Sequence, residues 1–211
     1  MTDCPAPQSH QSSRRHRQLL TAKVGSAAQA FDGLESGAEI FALTHGQFSL
    51  IDALVYLSGL TGPCDLSVCT WTAGTKDLQH MADLLGAGRF RSVRWLVDRS
   101  FITRQPAYCR KLRELFGDDC IRTTRSHAKF VTMRNEDWDL AVRTSMNLNH
   151  NPRMECIEVS DDPALADFID AQFDLYFTEQ DTGTFDAELH DEQGSLGLEV
   201  GRVSANRLYP E

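Results

Sequence analysis

The chain lacks most of the marks that assign a sequence to a class at sight. Its six cysteines, Cys4, Cys64, Cys69, Cys109, Cys120 and Cys156, contain no CxxC pair and no spaced His cluster beside them, which argues against a structural zinc site. No apolar run approaches the roughly 18–20 residues that a membrane span needs. Arg14, Arg15 and Arg17 are not followed by the apolar stretch of a secretory leader, so a cytoplasmic protein with no membrane partner and with buried, reduced thiols is expected. No internal repeat is visible at any period. Bases are scarce towards the end: from Glu155 onward stand fifteen of the 30 acids, with only Arg202 and Arg207 against them.

What is present fits one sizeable α/β core: 211 residues, 41% apolar and 24% charged. A net charge of -9 taken alone argues against a polyanion partner. Residues 89–134, however, hold twelve of the 21 Lys and Arg against four acids, as expected of a surface that faces phosphates. The plainer alternative is a set of solvated helix faces, since Arg110, Lys111 and Arg113 fall on an expected helix.

Residues 1–30, rich in Ser, Gln, Ala and Arg, read as a flexible basic arm, and the acidic stretch 179–211 as a poorly packed tail. The expected domain is 31–178. In it, the extended run 39–44 leads to Ser49 as cap of a helix that stops near Gly59, and the run 65–71 to a helix from Thr75 to Gly86. The run 92–97 leads to a helix opened by Pro106 and stopped by Gly117, after which 120–123 is extended. Then the pattern changes. Residues 128–133, 138–143 and 155–159 are extended with no helix between them, the first two joined by the short polar loop 134–137, and Asp162-Pro163 opens a last helix. This order predicts an α/β/α sandwich on a mixed sheet.

The chemistry-bearing residues gather where the pattern changes. His127 and Lys129 stand at i and i+2 in one expected strand and so share a face, Ser145 and Asn147 repeat that spacing near the next, and Glu155 opens the third. Adjacent strands would close the five around one phosphate. Cleaving a phosphodiester needs a nucleophile, charge at the non-bridging oxygens and an acid for the leaving oxygen, which these residue types supply. Each also has a bland reading, as an edge-strand pair, turn formers and a solvated strand end. Arg122, Arg125, Arg134, Arg143 and Arg153 are candidate substrate-binding bases nearby.

With His127-Ala-Lys129, Thr144-Ser-Met-Asn147 and Glu155 in this order, the chain resembles the phospholipase D superfamily across roughly residues 36–178. The family motif is HxK, four residues, Asp, then GSxN on the next strand. The resemblance implies a phospholipase D-like fold and a phosphodiester hydrolase in which His127 forms a covalent phosphohistidine. Lys129 and Asn147 would bind phosphate oxygens, Ser145 would hydrogen-bond in the same pocket, and Glu155 would accept from an imidazole N–H. No metal or other cofactor enters that scheme. The superfamily uses two histidines, so a single motif implies a homodimer with two His127 side chains across its axis. Small single-motif members are often nucleases, which makes DNA the expected substrate; phospholipid hydrolysis would call for an apolar interfacial surface. Two positions depart from the motif: Arg134 stands for the Asp and Thr144 for the Gly. An indispensable Asp would make this chain an inactive nucleic-acid-binding or assembly protein.

Overall fold

A strand whose side chains are apolar on both faces can be buried only in the middle of a layered structure, and β3 (Cys64–Thr70), where Asp65 alone is exposed, occupies that place. The computed structural model describes residues 8–10, 17–19 and 25–182. Around β3 are β1 (Arg17–Leu19), β2 (Glu39–Thr44), β4 (Phe90–Asp98), β5 (Ile121–Thr124), β6 (Phe130–Arg134), β7 (Asp139–Thr144) and β8 (Glu155–Asp161). They form one sheet in the order β1-β2-β8-β7-β6-β3-β4-β5. β1/β2, β3/β4 and β4/β5 are parallel, while β2/β8, β8/β7, β7/β6 and β6/β3 are antiparallel. The sheet is mixed, as the change of pattern implied.

The helices are α1 (Ala27–Phe31), α2 (Leu50–Thr61), α3 (Thr75–Gly86), α4 (Phe101–Arg104), α5 (Pro106–Phe116) and α6 (Pro163–Glu179). α1 to α5 supply Phe31, Leu54, Leu78, Phe101 and Leu112 to one face of the sheet, against Leu66, Val68, Trp95 and Val142. α6 covers the other face with Leu165, Ile169 and Phe173 against Cys69, Leu96 and Ala141. The result is an α/β/α sandwich. Each such side chain contributes about 1.5–3 kcal/mol on burial.

Local signals set most element ends. Ser49 and Asp52 form a reciprocal capping box at α2, and Asp162 caps α6 ahead of Pro163. α2 runs through Gly59, where a stop was expected, and ends at Gly62, whose φ of 75° suits glycine. Gly59 is small for another reason: an added Cβ would stand 3.3 Å from the Arg89 guanidinium. Arg89 reaches that spot to donate to Val55 O and Ser58 Oγ. α1 begins within the stretch read as an arm, and its Ala27, Ala30 and Phe31 are buried. Of the acidic tail, 183–211 lies outside the described residues.

Part of the uneven charge along the chain is a pairing of α6 with the sheet. Arg94 meets Asp170 and Asp174, and Arg134 meets Asp167 and Asp170. Elsewhere Arg91 meets Asp65 and Glu136, and Arg113 meets Asp118. Much of the basic section therefore faces protein carboxylates, and far fewer bases remain for a ligand than the sequence count suggested.

Of the described cysteines, Cys64, Cys69 and Cys109 are buried and Cys120 and Cys156 half-buried, none of them in a disulfide. Among the described residues no helix is long and apolar enough to cross a membrane.

Candidate active site

Parallel strands β2, β3, β4 and β5 end at the same edge of the sheet at which β7 ends and β6 and β8 begin, so the connecting loops converge there. All five residues expected to form a phosphate site lie at this edge. They are carried differently from the expectation. His127 and Lys129 precede β6, and Ser145 and Asn147 follow β7, so neither pair stands in a strand; Glu155 is the first residue of β8. The cause is local. Lys129 O accepts from Thr144 N as the last rung between the two chain segments. Beyond it the Asp98 carboxylate at the end of β4 takes Ser126 N (3.0 Å), and Ser126 Oγ takes Ala128 N (3.0 Å). The segment carrying His127 is drawn off the ladder into a braced loop.

His127 is exposed and rests edge-on against the Trp71 ring, with centroids 5.2 Å apart. Lys129 is 8% exposed, and its ammonium lies 3.1 and 3.2 Å from the two ring nitrogens of His127 and 2.7 Å from the His127 carbonyl oxygen. An ammonium can only donate, so it engages a ring nitrogen that keeps its lone pair. Burial lowers the Lys129 pKa, and the nearby Glu155 carboxylate opposes that shift. Glu155 accepts from Ser145 Oγ and from Asn151 Nδ2 at 3.0 Å. Ser145 Oγ in turn accepts from Cys156 N at 3.0 Å. Asn147 Oδ1 is buried with no hydrogen-bond partner among the described residues, a costly state that a ligand donor or a turned amide facing phosphate would relieve.

Thr144, in place of the motif Gly, fixes the turn. Its hydroxyl donates to Cys156 O at 2.7 Å and accepts from Met146 N at 2.9 Å, which sets the chain direction through Ser145 to Asn147. Arg134, in place of the motif Asp, lies at the far end of β6 from Lys129. Its guanidinium reaches Asp139 at 2.6 Å, Asp167 at 2.7 Å and Asp170 at 3.3 Å, and these carboxylates raise its pKa against the opposing effect of burial. Arg134 thus holds β6, β7 and α6 together, its guanidinium turned to the protein's own carboxylates.

Two more bases read from the sequence also have partners within the protein. Arg122 is 7% exposed, donates to Gln180 O, Asp119 O and Ile121 O, and lies over the Phe177 ring at 4.5 Å. Arg143 is paired with Glu158 on the sheet face. Arg125 and Arg153 are exposed in the two loops that carry His127 and precede Glu155. Sequence reading missed Trp71, Asp98 and Arg104. Trp71 and Asp98 lie at the C-terminal ends of parallel strands and Arg104 on the helix after β4, a position that marks sites in open α/β sheets and could have flagged them. Among the described residues no three His, Cys, Asp or Glu side chains gather as a metal ion would need.

The architecture is similar to that of several solved proteins. Nuc from Salmonella typhimurium, a phospholipase D family member, is 12% identical with a TM-score of 0.45, over 67% of this chain and 95% of that one. NucT from Helicobacter pylori is 10% identical with a TM-score of 0.47, over 66% and 96%. TrmBL2, an archaeal chromatin protein with a described mode of DNA binding, is 8% identical with a TM-score of 0.40, over 71% and 55%. No protein-family model matches the sequence, and no curated protein matches it. The chemistry is therefore argued from the site itself.

Proposed function

We propose that the chain is a phosphodiester hydrolase, a nuclease acting on DNA through a covalent intermediate on His127. The observation that carries this reading is the buried Lys129 ammonium held against the His127 ring, with Ser145, Glu155 and the unpaired Asn147 Oδ1 at the same sheet edge. An ammonium there binds the non-bridging oxygens and gains strength as charge develops on them. An unprotonated nitrogen of His127 attacks phosphorus, forming a P–N bond as the P–O bond to the leaving oxygen breaks. That oxygen takes a proton from a second His127, supplied by the other chain of a homodimer. Water then attacks phosphorus and the P–N bond breaks. Glu155 makes no hydrogen bond to His127 within the described residues of its own chain, which leaves it available to the partner's imidazole.

Arg134 weighs against the inactive alternative, because its work lies in ion pairs about 17 Å away, five residues along β6 at ~3.3 Å each. Cleavage of a labelled plasmid in EDTA by the wild type, lost in His127→Ala, is the expected result, with phosphohistidine trapped by acid quench. Equal cleavage by both proteins refutes the assignment. A fully active monomer in light scattering refutes the shared site.

A further inference from the structure

Arg104 takes no part in the reaction just described, yet it is built into the same edge of the sheet. Its guanidinium lies 3.6 Å over the Trp71 ring, the ring on which His127 rests. Its Nη2 donates to Trp71 O at 3.0 Å and its Nε to Ser100 Oγ at 2.8 Å. Ser100 Oγ donates to Asp98, whose other carboxylate oxygen holds Ser126 N in the His127 loop. Two routes, through Trp71 and through Asp98, thus fix Arg104 relative to His127. An Arg already held on one side of its fork loses little freedom when the other side binds an anion. The side chain is exposed, and Nη1 has no hydrogen bond among the described residues. It pairs with no carboxylate there, unlike Arg91, Arg94, Arg113 and Arg134.

We propose that Arg104 binds the phosphate neighbouring the one that His127 attacks, which makes a polynucleotide, with its phosphates in series, the preferred substrate over a diester carrying a single phosphate. The two ring separations put the guanidinium no more than ~9 Å from the His127 ring, a reach that suits successive phosphates of one strand. Stacking on Trp71 leaves the cation's edge for the anion and holds its face. This inference rests on the phosphodiesterase reading and deepens it.

The test compares Arg104→Met with the wild type on a single-stranded oligonucleotide and on bis(p-nitrophenyl) phosphate. KM for the oligonucleotide should rise about ten- to hundredfold, the loss carried by one charge-assisted hydrogen bond to phosphate. The loss on the single-phosphate diester should be at least about tenfold smaller. Oligonucleotide binding followed by anisotropy against salt should lose about 0.7 from its slope, one phosphate contact on a single strand. Arg104→Lys should recover part of the slope and little of the KM. Equal losses of kcat on both substrates would show that Arg104 only steadies His127 through Trp71, and an unchanged slope would likewise overturn the proposal. A wild type that cleaves neither substrate sinks the hydrolase reading, while the anisotropy slopes still decide whether Arg104 grips phosphate.

Discussion

Arg134→Ala separates what this position does from what the family motif suggests. The substitution removes three ion pairs of unequal worth. Asp167 is 68% exposed and rehydrates at almost no cost. Asp170 is 15% exposed but keeps Ser67 Oγ, Thr132 Oγ1 and Arg94 on its other oxygen. Asp139, 27% exposed, keeps no other side-chain donor among the described residues. Counting about 1–1.5 kcal/mol for Asp139 and a little less for Asp170 gives a loss of roughly 2 kcal/mol. In a chain of this size that lowers Tm by ~4–8 °C.

Cleavage at 25 °C and the salt slope of binding should stay at wild-type levels, since the site lies at the other end of β6. Arg134→Lys should recover about half of the stability, because one ammonium cannot serve three carboxylates as a fork does. Arg134→Asp restores the motif residue, yet should be worse than alanine, since it sets a fourth carboxylate among three. Differential scanning calorimetry and plasmid cleavage measure both sides. An Arg134→Asp protein that melts like the wild type and cuts faster would refute the reasoning.

Three further outcomes are expected. Lys129→Met should abolish cleavage and raise Tm at neutral pH, because it removes a charge that burial disfavours. Its pKa is lowered in the folded state, so the buried charge costs stability below the folded value and the cost fades as pH rises towards the ordinary 10.5; the variant's advantage must shrink over that window in melting curves run at stepped pH. Thr144→Gly should cost about 1–2 kcal/mol in urea unfolding and lower kcat, because the two hydroxyl bonds that set the turn into Ser145 are lost; a gain in activity from restoring the motif Gly would contradict this. Cys69, pushed up to about 12 by burial, should resist alkylation at pH 8 until the chain unfolds, and its contribution to stability should fall as pH climbs from 9 towards 12, where only the unfolded thiol ionises readily.

The elements were legible where short-range physics decides them: Ser49, Pro106, Gly117 and Asp162-Pro163 act through their own backbone neighbours. The helix stop near Gly59 was misplaced because its reason is tertiary, the approach of Arg89 from thirty residues away. The pairing within the basic section lies beyond the sequence for the same reason. A count along the chain cannot know that Arg94 and Arg134 will face carboxylates of α6 across the sheet. The five polar residues at one edge could be named from type and order, but the carriage of His127 and Lys129 on a loop could not, since it depends on Asp98 reaching Ser126.

That dependence also explains how a site can tolerate two departures from a motif. A glycine after β7 allows a turn, whereas Thr144 specifies one by hydrogen bonds to both sides of it. Exchanging an acid for Arg134 at the far end of β6 keeps an ion pair if its partners are acids, as Asp139, Asp167 and Asp170 are. Both changes act on what holds the loops and strands, and neither alters a group that would touch phosphate. On the mechanism proposed above, substitutions at His127, Lys129 or Asn147 should have no such compensation, because the geometry at a phosphorus atom admits few donors. The tolerance of a position should therefore follow its distance from that atom, with Asp98 the informative middle case. Asp98→Asn keeps one acceptor of two, so it should loosen the His127 loop and lower kcat about tenfold with oligonucleotide affinity nearly unchanged, the split expected when positioning is lost and binding is kept.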